Sequence, residues 1–341
     1  MKIGLVGYQG SGKSTLFEWL TGVIPDLSLS HTSQSAMATI PDQRVDPLCE
    51  LYQPKKVTMA SLELVDTPGL DRKHDGNAQR LALIREASCL VLVVGSFGGS
   101  DPLADTASFN EDLLLADLEI VTGRRDRLRE SVKKPRPSRD QEQAELDAIE
   151  PLVEHLESGR PVHEMELNDD QQKAIKSFCL LTQKPCVVIV NLGDDEDGAK
   201  YESASSDQLP ILAVPVSLEL ELGKMEPDER EMFREEMGVA SYDRDGLIRQ
   251  LMSASGQMLF FTAGEKEVRT WLIRQGGTAL EAAEGIHSDL ARGFIRAETM
   301  TCADLIQLGS EREVKAANLM RQEPKDYVIQ DGDILNIRFS V

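Results

Sequence analysis

Positive charge is scarce in this chain of 341 residues: 37 Lys and Arg face 58 Asp and Glu, a formal net charge of −21. A molecule of that sign repels polyanions as a whole, so contact with nucleic acid requires a local basic patch. Cysteine is sparse too. The five copies (Cys49, Cys89, Cys179, Cys186, Cys302) are odd in number, widely spaced and include no C-x-x-C pair. That pattern argues against a disulfide framework or a zinc site and for reduced thiols. No apolar run approaches the ~20 residues of a membrane helix, no internal repeat occurs, and residues 1–6 run straight into a strand, which leaves no room for a signal peptide. These absences predict a soluble cytoplasmic protein with no membrane partner. The remainder, 41% hydrophobic and 28% charged, is ordinary globular composition with room for two or three domains.

What is present is an alternation of short apolar runs with helical stretches, the pattern of a parallel sheet covered by helices. Strands are expected at Lys2–Val6, Leu62–Asp66, Cys89–Val94, Cys186–Val190 and Ile211–Val216, each rich in Val, Leu or Ile on both parities, as in strands buried on both faces. Residues 111–176 break the pattern. Leu113, Leu114, Leu118 and Leu128, then Leu146, Ile149, Leu152, Val153 and Leu156, lie at helical spacing on either side of "KKPRPSR" (133–139), so an antiparallel helical hairpin inserted into an α/β domain is expected. The approach to its tip, Arg124–Arg139, holds eight Lys or Arg against two acids. From 258 onward the chain reads as a small α+β module that ends in two strands around Asp331-Gly332. The expected division is 1–110 with 177–257 for the α/β domain, 111–176 for the hairpin and 258–341 for the last module.

Three motifs carry chemistry. Gly7-x-x-x-x-Gly12-Lys13-Ser14 follows a strand and precedes an apolar helix, the context of a phosphate-binding P-loop. Its glycines let the amides of Gly10, Ser11, Gly12, Lys13, Ser14 and Thr15 wrap phosphates, Lys13 reaches the terminal phosphates, and Ser14 binds Mg2+. "LELVDTPGL" (62–70) supplies Asp66 at a strand end for the magnesium and the Gly69 amide for the γ-phosphate, an arrangement that senses whether that phosphate is present. Lys13 and Gly69 are the expected catalytic groups. Leu70 stands where many related GTPases orient water with glutamine, and leucine can neither donate nor accept. In "VIVNLGDD" (188–195), Asn191 and Asp194 have the spacing of an N-K-x-D base-reading motif, with Leu192 in place of lysine as an apolar floor for the base; Ser217 and Glu221 would complete the pocket.

With these motifs the chain resembles the Obg-like ATPases of the YchF family, over nearly its whole length. The resemblance includes "STLFEWLT", "PDQRVDPLCELYQPKK", "LALIREASCLVLVVGSF" and "TQKPCVVIVNL", and is densest in "FFTAGEKEVRTWLIRQGGTALEAAEGIHSDLARGFIRAE" and "KDYVIQDGDILNIRFSV". It implies a P-loop NTPase domain, a ubiquitin-like TGS domain at 258–341, a preference for ATP over GTP, and ribosome association. The chain departs from the family in four places. Gly10-Ser11 replace the asparagine and valine of N-V-G-K-S, and in related NTPases that asparagine can hold potassium. The segment after D-x-x-G is shortened to "DRKHDGNAQRL". The region between the first helix and "PDQR" is altered, so that Thr32 and Ser30 are both candidate magnesium ligands in place of the switch threonine. Asp194 stands where the family has glutamate.

The reading that results is a slow ATPase switch on the translation machinery, with the tip at Arg124–Arg139 contacting ribosomal RNA. A GTPase of the translation-factor class, an adaptor with negligible turnover, and a nucleotide kinase remain as alternatives.

Overall fold

The computed structural model describes residues 1–193, 196–206, 208–237 and 241–340. In chain order it contains β1 (Lys2–Val6), α1 (Lys13–Thr21), β2 (Gln34–Thr39), α2 (Val45–Tyr52), β3 (Val57–Thr58), β4 (Ser61–Asp66), α3 (Asn77–Ile84) and β5 (Cys89–Gly95). Then come α4 (Pro102–Ser131), α5 (Arg139–Glu157), α6 (Asp169–Ile175), β6 (Cys186–Asn191), α7 (Ala199–Glu202), β7 (Ile211–Val214), α8 (Val216–Leu222) and α9 (Pro227–Met237). The last part holds α10 (Arg244–Ala254), β8 (Gln257–Ala263), β9 (Val268–Arg274), α11 (Ala279–Ile286), α12 (Ser288–Arg292), β10 (Phe294–Thr301), α13 (Cys302–Leu308), α14 (Glu311–Ala316), β11 (Arg321–Glu323) and β12 (Asp333–Phe339). Two compact units result, Met1–Ala36 with Glu63–Tyr242 and Met37–Leu62 with Asp243–Val341.

The first sheet has the order β2-β4-β1-β5-β6-β7, with β4, β1, β5, β6 and β7 all parallel. Its central strands are buried on both faces, β5 at every residue, because helices cover both sides. Four of the five expected strands lie within a residue of their predicted ends. The fifth stops at Val214, since Pro215 turns the chain and Val216 already begins α8. The edge strand β2, with the polar sequence Gln-Ser-Ala-Met-Ala-Thr, was not expected.

The helix α4 starts earlier than the expected 111, because Asp101 caps the amides of Leu103 and Ala104 and Pro102 fits the first turn. It packs along α5, and Val121, Leu128, Leu146, Ile149, Leu152 and Leu156 share one apolar core. Toward the sheet, the fully buried Asp117 accepts from the amides of Leu181 (3.0 Å) and Thr182 (2.8 Å), the Thr182 hydroxyl (2.9 Å) and the Arg85 guanidinium (2.7 Å). Four donors satisfy the carboxylate, which makes its burial affordable.

In the second unit the sheet order is β11-β10-β12-β8-β9-β3, mixed in direction. The two terminal strands expected around Asp331-Gly332 are in fact one. After a turn at 325–326, residues 327–330 carry no regular structure beyond a single bridge, Thr278 to Val328, and only β12 pairs as a strand. The Asp333 carboxylate ties this segment to the start of β12, accepting from the Gln330 amide (2.9 Å) and the Tyr327 hydroxyl (2.9 Å). Among the described residues no helix is long and apolar enough to cross a membrane.

Candidate nucleotide site

In an open parallel sheet, ligands collect outside the carboxyl ends of the strands. Here the ends of β1, β4 and β6 carry Gly7, Asp66 and Asn191. Between them lies a cleft of about 370 Å3 whose lining includes Gln9, Gly10, Lys13, Ser14, Thr32, Asp66, Gly69 and Arg80. Five positions assigned from sequence to phosphate or magnesium (Gly10, Lys13, Ser14, Asp66 and Gly69), together with the candidate ligand Thr32, thus meet in one place.

The loop is shaped by glycine. Gly12 has φ 95°, and a Cβ there would collide with the side-chain amide of Asn191. Asn191 itself is 2% exposed. It donates to the Ser11 carbonyl at 3.2 Å and accepts from the Val216 amide at 3.2 Å, so it clamps the loop to the start of α8. Gly69 also comes close from the other side: a Cβ there would lie 2.7 Å from Lys13 Nζ and 2.8 Å from the Gln9 nitrogen. Only a residue without a side chain lets the two loops approach this far.

The charges in the cleft are ill at ease. Lys13, 6% exposed, donates to the Tyr8 carbonyl at 2.8 Å, and burial pulls its pKa from 10.5 down to about 8, with Asp66 opposing the shift. Burial also pushes the Asp66 carboxyl upward, against the Ser14 hydroxyl, which donates to it at 2.6 Å, and the Lys13 charge. The Ser11 hydroxyl oxygen is buried with no hydrogen-bond partner in the structure. A buried cation beside a buried anion, each poorly compensated, is a site built to receive further charges of both signs. The hydroxyl of Ser14 and the carboxylate of Asp66 are hard oxygen donors of the kind magnesium takes. Thr32 lines the cleft with its hydroxyl bonded to the Leu29 carbonyl at 2.9 Å, and Ser30 lines it as well.

The other predicted residues lie elsewhere. Leu70 is fully buried in the core with Tyr8 and Phe109, and its backbone bonds to Gly7 and Gln9. Leu192, 3% exposed, also packs into that core beside Val190, Tyr201 and Ala213. Thr15 is half-buried in the first turn of α1, Ser217 is exposed at the start of α8, and Glu221 pairs with Lys224 at 2.7 Å. Asp194 lies outside the described residues.

Sequence reasoning missed the polar groups around the cleft. Tyr8 donates to Asp112 of α4 at 2.8 Å, and Arg72 lies over the Tyr8 ring at 4.5 Å while pairing with Asp105 at 2.6 Å. Gln9 and Arg80 line the cleft directly. The one available signal was the recurrence of arginine (Arg72, Arg80, Arg85) just after the D-x-x-G element.

A family model described as a 50S ribosome-binding GTPase matches residues 2–126, and YchF-GTPase_C, described as a protein of unknown function, matches 258–340. The chain is 34% identical to the ribosome-binding ATPase YchF of Bacillus subtilis (strain 168) over 365 residues, covering 99% of each chain. It is 35% identical to Obg-like ATPase 1 of Oryza sativa subsp. japonica, over all of this chain and 92% of the other. Among solved structures, the Schizosaccharomyces pombe YchF GTPase superposes with a TM-score of 0.84 at 26% identity, covering 99% of this chain and 97% of that one.

Proposed function

The chain belongs to the YchF family, and from that premise we propose that it is an ATP-binding, ATP-hydrolysing switch that works on the ribosome in the cytoplasm. The observation that carries this reading is the gathering of Lys13, Ser14, Asp66 and Gly69 around one cleft at the strand ends. Its support in kinship is the full-length similarity to proteins named ribosome-binding ATPases.

The residues divide the work by charge. The Lys13 ammonium neutralises the terminal phosphates, and the amides of Gly10–Thr15 with the α1 N-terminus hold the same oxygens. Ser14 and Asp66, with Thr32 or Ser30 from the neighbouring segment, would hold Mg2+, which supplies further neutralising charge on the phosphates. The Gly69 amide reports the γ-phosphate to the segment after it, which Arg72 fastens to Asp105 of α4. Leu70 offers nothing to water, so unaided hydrolysis is slow. Residues 258–341 act as the TGS domain, and 111–176, with the tip near Arg124–Arg139, as the hairpin that meets ribosomal RNA.

ATP turnover with and without ribosomes tests the switch. Stimulation from a slow basal rate is expected, and an unstimulated rate of many per second would overturn it. The nucleotide is decided by competition of ATP against GTP. The full-length similarity to proteins named ATPases favours ATP, whereas the match to a GTPase family model keeps GTP as the second reading.

A further inference from the structure

Three arginines follow the γ-phosphate loop, and two of them are spent. Arg72 forms a two-pronged pair with Asp105, both bonds at 2.6 Å, and Arg85 is held by the buried Asp117 at 2.7 Å. Arg80, on α3 between them, has no carboxylate partner among the described residues. Its guanidinium reaches Asn77 Oδ1 at 3.4 Å. With the Gln9 amide oxygen turned toward it, Gln9 accepts from both Arg80 terminal nitrogens at 3.2 and 3.3 Å. Gln9 is part of the phosphate loop, and its backbone lies against Gly69. The half-buried Arg80 also lines the cleft itself, where Lys13 and His31 are the other basic side chains. Among the described residues the cleft therefore holds one guanidinium without a carboxylate partner, on the side of Gln9 and Gly69, in a protein whose position 70 has no polar group to give.

We propose that Arg80 is a catalytic residue supplied in cis: its guanidinium contacts the terminal phosphate of the bound nucleotide and stabilises the charge gathering there, while Gln9 positions it. The proposal rests on the cleft being the triphosphate site. Physically, a planar fork of N–H donors matches two phosphate oxygens at once, and a charge held beforehand by Gln9 costs little reorganisation when the bond to the leaving group breaks. In NTPases of this mechanism, an arginine so placed is worth three or more orders of magnitude in turnover.

The test compares Arg80→Ala, Arg80→Lys and Lys13→Ala with the parent. It uses fluorescent ATP and ADP for affinity, single-turnover cleavage at saturating ATP, and ADP with aluminium fluoride as a mimic of the transferring phosphoryl group. Arg80→Ala is expected to keep ADP affinity within about 3-fold, to cleave ATP roughly 1,000-fold more slowly, and to lose the tightening of ADP by aluminium fluoride. Arg80→Lys, which keeps the charge and the helix but not the fork, is expected to fall at least about 10-fold. Parental turnover in either variant, or an ADP affinity that falls as far as turnover, would overturn the role of Arg80 and leave the nucleotide site standing. If instead Lys13→Ala still binds and cleaves ATP like the parent, it is the triphosphate reading that fails.

Discussion

Lys13, proposed to hold the phosphates, carries a cost in stability for that role. Its pKa is about 8 in the folded protein, whereas 10.5 is usual for lysine. The unfolded chain therefore holds the proton more tightly, and this group opposes folding below pH 8. The penalty fades as pH rises from about 8 to 10.5. Lys13→Met, measured by urea unfolding without nucleotide at pH 7, is expected to be about 1–3 kcal/mol more stable than the parent, while losing nucleotide. The same shift gives binding its pH dependence. Phosphate needs the ammonium form, so affinity for ATP should decline above pH 8, and calorimetry in buffers of different ionisation enthalpy should show proton uptake on binding there. Gly12 answers to geometry instead. Its left-handed backbone and the Asn191 amide at its α-carbon leave no room for a methyl group. Gly12→Ala should abolish nucleotide binding and destabilise the fold by about 1–3 kcal/mol.

At the scale of elements, the helix pair α4 and α5 changes the meaning of the basic run. Sequence shows eight cations in a row of sixteen residues, yet the acids of α5 take up several of them. Arg124 makes a two-pronged pair with Glu145 at 2.7 Å, Arg129 meets Glu150 at 2.9 Å, and Arg125 reaches Glu157 at 3.6 Å. Lys133 pairs within its own turn region with Glu130. Among the described residues, Arg127, Lys134, Arg136 and Arg139 have no carboxylate within ion-pair distance, and all four are exposed. If the tip meets RNA, these are the residues to change. Arg127→Glu with Lys134→Glu and Arg136→Glu should abolish co-sedimentation with ribosomes at low salt, and neutralising Arg124 and Arg129 should cost much less. Equal loss from both sets would point to a damaged helix pair rather than a lost phosphate contact.

The whole molecule is divided differently from its sequence. Residues 37–62, expected with the P-loop domain, cluster with 243–341. Arg44 is a main reason. It pairs with Asp42 at 2.6 Å and, far along the chain, with Asp331 at 2.7 Å, and it lies over the Phe261 ring at 4.9 Å. Tyr52 likewise donates to Glu311 at 2.7 Å, and β3 extends the sheet beside β9. Arg44→Ala should lower the stability of the full chain by about 2–4 kcal/mol, because it leaves the half-buried Asp42 without its partner. Urea unfolding followed at the tryptophans Trp19 and Trp271 reads this out, and Trp271, on β9 of the same unit, should report the earlier transition.

By itself the sequence determined what is local. The central strands announce themselves by unbroken Val, Leu and Ile runs, and the P-loop and D-x-x-G element by fixed spacings that leave few other backbone paths. The helix pair is written in its leucines and its prolines. Only the tertiary structure decided which cations remain free, because Glu145 and Glu150 neutralise arginines from another helix. It placed Leu192 and Leu70 in the core, left 327–330 as a single-bridge segment tied to Asp333, and carried Arg80 to Gln9. Burial and pairing between distant residues are collective properties of the packed chain, and no window of the sequence contains them.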